Sequence, residues 1–422
     1  MKIGFLIFRL ANLKGLGSLI TLSLQRDHEV AIFVDPTSKP KLGEAVDQGA
    51  LAEIWPNAQV VDLQTESTPQ GLADANCNAI VGMAILTAEE YRGRLDTARE
   101  NGALLFSISY LFEGPGRDPS LMASLGKAFY LSEYERTVHE SLFPQSFNSL
   151  GSDWKQKYTE ISGSTCCDQL AEFDSRKTRH RYGISETSPV VLFMSLKMSV
   201  TDTWRNLVWG ESSKTRRTLK AIKGRHWRLI PEIWTQDTYK EICNELKEFC
   251  IRNGALFVVK SRTKNDDPLW LRELSDVYVG QDETEYPYTS IQLIGISNLC
   301  VHFESGAVFE TAFAGVPSLS INIPQPSLYE QLPEYSTRYR SKELGSLFNY
   351  PGVITSIDCS KIVEHLRRAD LKDFAMEPSQ RSKYVSAFMG FDDMRSSVRI
   401  LDSMESSLRD SSIHIDGIAN PL

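Results

Sequence analysis

The stretch from His302 to Asn322, HFESGAVFETAFAGVPSLSIN, carries residue types suited to holding an anion. Ser305 and Gly306 stand where an apolar strand ends and a helix begins. The first N–H groups of a helix have no partner within it and the helix dipole is positive there, so this turn predicts a phosphate site. Glu310 follows about one turn later, where its carboxylate suits two vicinal hydroxyl groups better than a phosphate. The alternative is a solvated acid beside an ordinary turn.

Further candidates end strands in the same half of the chain. Lys260 and Arg262 end FVVKSR, where two exposed cations can neutralise a diphosphate or a leaving group; the alternative is solvated surface charge. Ser195 and Lys197 end the strand VVLFMSLK in the same way. His302 is a candidate phosphate or sugar contact, and the alternative is a core histidine with satisfied hydrogen bonds.

The first half of the chain offers an acidic loop, LFEGPGRDP, after an apolar strand. Glu113 and Asp118 are the predicted catalytic groups, because a carboxylate at a strand end can take the proton from a hydroxyl group. The alternative is a capped turn with solvated acids. The segment from Asn12 to Gly17 is predicted as a second site loop, but its glycines lack the dinucleotide spacing and Lys14 lacks a phosphate-loop context. An NAD or ATP enzyme is therefore disfavoured.

A basic segment from Lys214 to Arg228, KTRRTLKAIKGRHWR, contains no acid and is flanked by Trp204, Trp209 and Trp234. Such a segment predicts contact with a lipid phosphate or a membrane surface. The alternative is a solvated helix whose flanking tryptophans pack in the core. Glu232, just beyond it, is a further candidate for the cleft.

These candidates are positioned by alternating strands and helices. The order βαβ predicts parallel sheets with right-handed crossovers, whose ligands bind at the carboxyl ends of the strands. We expect an α/β protein of two doubly wound, Rossmann-like domains facing a cleft, with a C-terminal helix. The predicted parts are residues 1–165, a linker at 166–189, a second domain at 190–385, and a helix and tail at 386–422.

Composition narrows the class of protein. The chain has 422 residues and a formal net charge of −8, so bulk charge disfavours nucleic acid. Its seven cysteines are scattered without metal-ligand spacing, which favours idle thiols in a reducing compartment. The acid pairs at 266–267 and 392–393 lie in polar turns, so we expect no metal. No apolar run is long enough to cross a bilayer and the N-terminus is predicted as a strand, so we expect a cytoplasmic protein.

The pattern of strand, Ser-Gly turn, acid-bearing helix, Ala-Gly-Val-Pro and strand resembles the donor-binding half of GT-B nucleotide-sugar glycosyltransferases. UDP-N-acetylglucosamine 2-epimerases and CDP-glycerol glycerophosphotransferases share this arrangement. The stretch EISGSTCCDQL, with Gly163 and Asp168, resembles the domain junction of these families, and GFDDMRSSVRILDSME resembles their terminal helix. The resemblance implies that Glu310 binds the ribose of the donor.

The resemblance also implies that the strand-end residues and the turn bind the donor phosphates; these are Ser195, Lys197, Lys260, Arg262, His302, Ser305 and Gly306. We therefore expect a metal-independent glycosyltransferase that needs no cofactor. It would move a sugar from a UDP-, GDP- or CMP-linked donor to a glycan or lipid-linked acceptor in bacterial-type surface polysaccharide synthesis, at the inner face of the membrane.

Two alternatives stay open from the sequence: a nucleotide-sugar 2-epimerase, and a non-catalytic binding subunit of the same fold. The donor base, the sugar, the acceptor, the stereochemical outcome and the oligomeric state are also left open.

Overall fold

The computed structural model describes residues 1–34, 46–63, 75–83, 92–109, 114–115, 122–196, 203–210, 212–261, 267–280, 283–323 and 345–418. The chain forms two compact units. The first unit contains Met1–Phe173, Glu283–Ile291 and Val385–Leu422, and the second contains Asp174–Asp282 and Gln292–Tyr384.

The first unit is built on a seven-stranded parallel sheet. Its strands β1 to β7 are Lys2–Ile7, Glu29–Val34, Ala58–Asp62, Ala79–Met83, Leu104–Ile108, Lys127–Tyr130 and Thr159–Ile161. Within the described residues, its helices α1 to α6 are Leu10–Gln25, Gln48–Ile54, Arg92–Glu100, Glu133–Leu142, Pro144–Tyr158 and Thr165–Asp168. The strand order β3-β2-β1-β4-β5-β6-β7 is that of a doubly wound fold.

The second unit is built on a six-stranded parallel sheet. Its strands β8 to β13 are Val190–Met194, Leu256–Lys260, Val277–Val279, Leu299–His302, Ser318–Asn322 and Ile354–Asp358. From residue 174 onward, the helices of the described residues are α7 to α17: Ser175–Arg181, Thr203–Val208, Lys214–Lys223, Ile230–Thr235, Tyr239–Arg252, Leu269–Leu274, Thr289–Gly295, Ala307–Ala314, Ile362–Arg368, Pro378–Met389 and Ser396–Ile418. The strand order β10-β9-β8-β11-β12-β13 repeats the doubly wound pattern.

Continuous apolar runs form the central strands because helices cover both faces of a parallel sheet. Strands β4 and β8 are buried at every position. In the second unit, Val191, Phe193 and Val301 lie in one large apolar core with residues of α11 and α15. The predicted fold class, two Rossmann-like α/β domains with a C-terminal helix, is confirmed.

The division of the chain differs from the predicted boundaries, because the first unit also takes residues from the second half of the sequence. Helix α17 packs against α1 and α6. Asp168 accepts hydrogen bonds from the backbone N–H groups of Ser396 (3.2 Å) and Ser397 (2.6 Å), which start α17. A Cβ atom on Gly163 would lie 2.6 Å from the Ser396 hydroxyl, so this glycine allows the close approach of α17. The junction residues noted in the sequence thus receive the C-terminal helix.

The prediction of a site loop from Asn12 to Gly17 is wrong, since α1 already begins at Leu10. Asn12 accepts a hydrogen bond from the Arg9 N–H at 3.2 Å and so helps to start the helix. A Cβ atom on Gly17 would lie 2.6 Å from the ring of Tyr286. The glycines here serve close packing within a helix, which is why they misled the loop prediction.

Strands β6, β7 and β13 were not predicted, because their sequences are short and partly polar. All seven cysteines are buried, and none forms a disulfide bond. Across the described ranges, no helix combines the length and apolar character that crossing a bilayer requires.

Candidate functional site

The candidate site lies where the strand order of the second sheet reverses, between β8 and β11 at its centre. These strands pair in parallel, with Leu299 opposite Val191 and Val301 opposite Phe193. Their carboxyl ends therefore lie side by side, and the chain leaves them in opposite directions along the sheet. In open parallel sheets, a crevice for ligands forms at this kind of point.

His302 ends β11 and holds the following turn. Its Nδ1 accepts a hydrogen bond from the Ser305 backbone N–H at 3.2 Å, so Nε2 carries the proton and donates to the Ser318 hydroxyl at 2.7 Å. The imidazole is fully buried. Both ring nitrogens are thus used within the domain, and His302 positions the turn; direct contact of His302 with a donor stays a prediction.

The turn itself brings Ser305 and Gly306 to the start of α14. Ser305 and Gly306 are half-buried, in contrast to the buried residues on either side. The Ser305 hydroxyl accepts the Ala307 N–H at 3.4 Å, and the Ser305 carbonyl accepts the Val308 N–H at 3.1 Å. Glu304 has a φ of 42°, the left-handed region, which reverses the chain sharply before the helix. The predicted small-residue turn at a helix start is present and accessible.

Glu310 is the fourth residue of α14 and is only 1% exposed. The helix around it is apolar and buried on nearly all sides, so the acid is placed within the domain and not on a solvated face. The alternative of a solvated helix acid is wrong. Moving a carboxylate charge out of water costs free energy unless hydrogen bonds or an opposite charge compensate it.

The C-terminal end of α14 is fixed by two features. Gly315 has a φ of 71° and caps the helix with its N–H on the carbonyls of Ala312 and Thr311. Arg381, from α16, donates to the carbonyls of Ala312 (Nε, 2.7 Å) and Phe313 (2.5 Å). The helix that begins at the Ser305–Gly306 turn is therefore held at both ends.

Ser195 and Lys260 lie at the ends of β8 and β9, as predicted, but both are buried. The Ser195 hydroxyl has no hydrogen-bond partner among the described residues, and the Ser195 N–H donates to the Lys260 carbonyl at 3.0 Å. The Lys260 ammonium group donates to the carbonyls of Ser261 (2.6 Å) and Gly280 (3.2 Å). The expectation of an exposed cation at Lys260 is wrong, because its ammonium group is turned to the backbone around β9 and β10.

Four predicted site residues lie outside the described residues: Lys197, Arg262, Glu113 and Asp118. Gly114 and Pro115, which follow Glu113, are described. The catalytic roles of the two acids stay predictions.

A buried acid that the sequence analysis missed lies beside Gly114 in the first unit. Glu135 is fully buried and accepts hydrogen bonds from the Ser109 hydroxyl, the Leu131 N–H at 2.7 Å and the Gly114 backbone. Burial raises the pKa of Glu135 to about 7, although these hydrogen bonds lower it. In the sequence, the spacing Ser132-x-x-Glu135, which is typical of a capping box, could have indicated that Glu135 has a structural role.

The chain matches no protein-family model and no curated protein sequence significantly. Its structure is similar to a UDP-GlcNAc 2-epimerase from Neisseria meningitidis bound to UDP-GlcNAc, with 12% identity, a TM-score of 0.54 and coverage of 96% of this chain and 100% of the epimerase. It is also similar to a variant of the wall teichoic acid polymerase TagF, with 11% identity, a TM-score of 0.58 and coverage of 98% and 90%. A TagF variant soaked with CDPG gives 11% identity, a TM-score of 0.56 and coverage of 97% and 89%.

Identity of this size shows the fold alone. Since the match extends along nearly the whole chain and the two sheets are both doubly wound, the fold of this protein is of the GT-B type, as the sequence pattern predicted.

Proposed function

We propose that this protein is a nucleotide-sugar-dependent glycosyltransferase whose donor binds the second unit. The observation that carries the proposal is the Ser305–Gly306 turn, which opens a buried, acid-bearing helix at the point where the strand order reverses. A GT-B fold supports it, since structural neighbours of that fold include proteins bound to UDP-GlcNAc and soaked with CDPG.

The diphosphate of the donor would lie against the N-terminus of α14. The small side chains at Ser305 and Gly306 allow close approach, and the positive end of the helix dipole favours negative charge there. The Ser195 hydroxyl, buried and without a partner among the described residues, ends the neighbouring strand and would donate to the same phosphates. His302 contributes by holding the turn in place.

Glu310 would bind the ribose hydroxyls. Its carboxylate is buried in this structure, so ribose binding requires that the carboxylate become uncovered when the donor enters. Once the ribose is enclosed, its two hydroxyl groups would donate charge-assisted hydrogen bonds to the Glu310 carboxylate, and such bonds are stronger than neutral ones.

The acceptor, a glycan or a lipid-linked sugar, would bind the first unit, where Glu113 or Asp118 would take its hydroxyl proton. This transfer proceeds without a metal ion in our proposal, and full activity in EDTA is the expected result.

A thermal-shift panel of UDP, GDP, CDP, CMP, ADP and NAD tests nucleotide binding. A ligand at 100-fold its dissociation constant stabilises by about 2.7 kcal/mol. We expect one pyrimidine or guanine nucleotide to raise the melting temperature, and Glu310→Gln to abolish most of that increase. The matched control is Glu364→Gln, an acid on α15 whose side chain is 66% exposed; it should keep the full shift. If no nucleotide shifts the wild-type protein, the proposal is overturned.

A 2-epimerase is a second candidate, because the structural match covers the whole of a UDP-GlcNAc 2-epimerase. Incubation with UDP-GlcNAc and no acceptor separates the two. An epimerase converts the sugar to its C2 epimer with no loss of nucleotide-sugar, whereas a transferase leaves the donor unchanged until an acceptor is added. Proton NMR of the anomeric signals distinguishes these outcomes.

A further inference from the structure

The basic segment noted in the sequence forms an exposed surface on the second unit. It comprises α9, a short 3-10 turn at Trp227–Leu229, and α10. Residues 212–231 contain no acid. The nucleotide site proposed above uses none of these residues, so the surface requires its own explanation.

One face of α9 is anchored in the domain. Arg217 and Ala221, four residues apart and therefore on the same side of the helix, are buried. The Arg217 guanidinium group donates to the carbonyls of Leu207 (3.1 Å) and Val208 at the end of α8. This anchoring fixes which side of α9 faces outward.

The exposed residues of α9, the 3-10 turn and α10 include both apolar and cationic side chains. Leu219, Ile222, Trp227 and Trp234 are 53%, 55%, 72% and 53% exposed. The cations among them are also exposed; they are Arg216, Lys220, Lys223, Arg225 and Arg228. These nine residues are called the basic apolar patch. Burying large apolar side chains is favourable, so exposing several together indicates a contact surface.

The patch is ordered by contacts within the unit. The Trp234 indole N–H donates to the Thr218 hydroxyl at 3.0 Å, and the Lys214 ammonium group donates to the Trp234 carbonyl at 3.3 Å. These bonds tie α10 to α9. In contrast, Trp204 and Trp209 are buried and pack on each other in the core. The alternative given by the sequence, that the flanking tryptophans pack in the core, thus holds for these two and fails for Trp234.

Charge complementarity indicates the partner. Five exposed cations in a stretch with no acid from residue 212 to residue 231 favour an anionic surface, on a protein whose net charge is −8. A nucleic acid backbone would neutralise the cations but would leave Leu219 and Ile222 without an apolar environment. An anionic bilayer satisfies both sets, since headgroups meet the cations and the interfacial region takes up tryptophan and aliphatic side chains.

We propose that the basic apolar patch docks the second unit on an anionic lipid surface, with Leu219, Ile222 and Trp227 entering the interfacial region. The contact is peripheral and reversible, because the apolar side chains come from short helices lying on the domain. It is independent of the nucleotide site, and nucleotide binding is unaffected by changes in the patch.

Sedimentation with vesicles of phosphatidylcholine, with or without phosphatidylglycerol, tests the proposal on the full chain. The wild type is expected in the pellet only with phosphatidylglycerol. A double Lys220→Gln, Lys223→Gln variant should lower the partition coefficient about thirtyfold at low salt. A Leu219→Ser, Trp227→Ser variant, which keeps every cation, should also lower binding and should abolish what remains at high salt.

Two variants are matched controls. Leu269→Ser removes an apolar side chain that is 69% exposed elsewhere on the unit. Arg368→Gln removes a cation on α15 whose side chain is 78% exposed. Both controls should bind like the wild type. The proposal would be overturned if the controls and the patch variants lost vesicle binding equally. It would also be overturned if the Leu219→Ser, Trp227→Ser variant bound vesicles as well as the wild type. Absence of vesicle binding together with tight binding to single-stranded RNA would likewise overturn it and would assign the patch to a polyanion.

Discussion

Arg381 donates hydrogen bonds from its guanidinium group to the carbonyl oxygens of Ala312 and Phe313, although 69 residues separate it from Ala312. These carbonyls belong to the last turn of α14, where helical N–H donors run out, and the Ala312 carbonyl also accepts from the Gly315 N–H at the cap. A cation at this end also interacts favourably with the helix dipole. Arg381 thus fixes the C-terminal end of α14, the helix that begins at the Ser305–Gly306 turn.

We predict that Arg381→Ala lowers the free energy of unfolding by about 1 to 3 kcal/mol, because two buried carbonyls lose a charged donor. Arg381→Lys should recover only part of this, since an ammonium group cannot reproduce the planar geometry that reaches both carbonyls. Urea unfolding measures the change. Arg368→Ala, on an exposed part of α15, is the control and should change stability by less than about 0.5 kcal/mol. Equal stability of the Ala variant and the wild type would contradict the capping role.

The turn at the other end of α14 gives a prediction for His302. His302→Ala removes the acceptor for the Ser305 N–H and the donor to Ser318, whereas His302→Asn keeps an acceptor close to the position of Nδ1. We expect the Asn variant to retain more protection of the Ser305 amide in hydrogen exchange than the Ala variant. Ser318→Ala, which removes only the other bond, should leave that amide protected. Loss of protection in Ser318→Ala would assign the effect to general loosening of the strand.

The strand ends and the turn of the second unit were predictable because a parallel sheet brings every carboxyl end to one edge. Ser195, Lys260 and His302 could be assigned to that edge from apolar runs alone. The burial of Lys260 could not be predicted from the sequence, because the carbonyl groups that its ammonium group contacts follow β9 and β10 and are brought close to it only by folding. The start of α1 was missed because glycines inside a helix read as a loop.

Arg381 and Glu135 show a different limit. The sequence around Arg381 does not indicate its capping role, because tertiary packing alone brings it close to the carbonyl groups that it contacts. Glu135 stands in a local capping pattern, but its bond to Ser109 joins residues 26 apart on different elements. A capping box predicts that Glu135 accepts from the Ser132 N–H, whereas Glu135 accepts from the Leu131 N–H. The pattern also says nothing of burial, and it is burial that raises the pKa of Glu135.

The raised pKa of Glu135 predicts how its contribution to stability depends on pH. An acid whose pKa is about 7 in the folded chain and 4.5 when unperturbed holds its proton more tightly when folded. As pH rises from about 4.5 to about 7, the unfolded chain loses this proton first, so the free energy of unfolding falls, by about 3 kcal/mol for this group alone. Above that range its contribution no longer changes.

Glu135→Gln should remove this pH dependence, because an amide does not titrate in this range. Urea unfolding at about pH 5 and about pH 8 measures it. The wild type should lose more stability across that interval than the Gln variant. The control is Glu133→Gln, an acid in the same helix turn whose side chain is 62% exposed, which should follow the wild type. Parallel pH curves for wild type and Glu135→Gln would contradict the assignment.

Asp168 gives a last prediction, for the C-terminal helix. It accepts the first N–H groups of α17 from Ser396 and Ser397 and so acts as an N-terminal cap supplied by another helix. Asp168→Ala should cost about 1 to 2 kcal/mol, and Asp168→Asn less, because one oxygen remains. Since the cap joins α6 to α17, the loss should appear first as proteolytic cleavage within α17.

Asp174→Ala is the matched control, since Asp174 caps α7 in the same way through the N–H groups of Arg176 and Lys177. That cap joins a helix only to its own preceding residue, so its removal should leave α17 resistant to protease. Cleavage of α17 at equal rates in both variants would mean that Asp168 supports the fold generally. Cleavage confined to the Asp168 variants would show that a single carboxylate holds the C-terminal helix on the first unit, where α17 packs against α1.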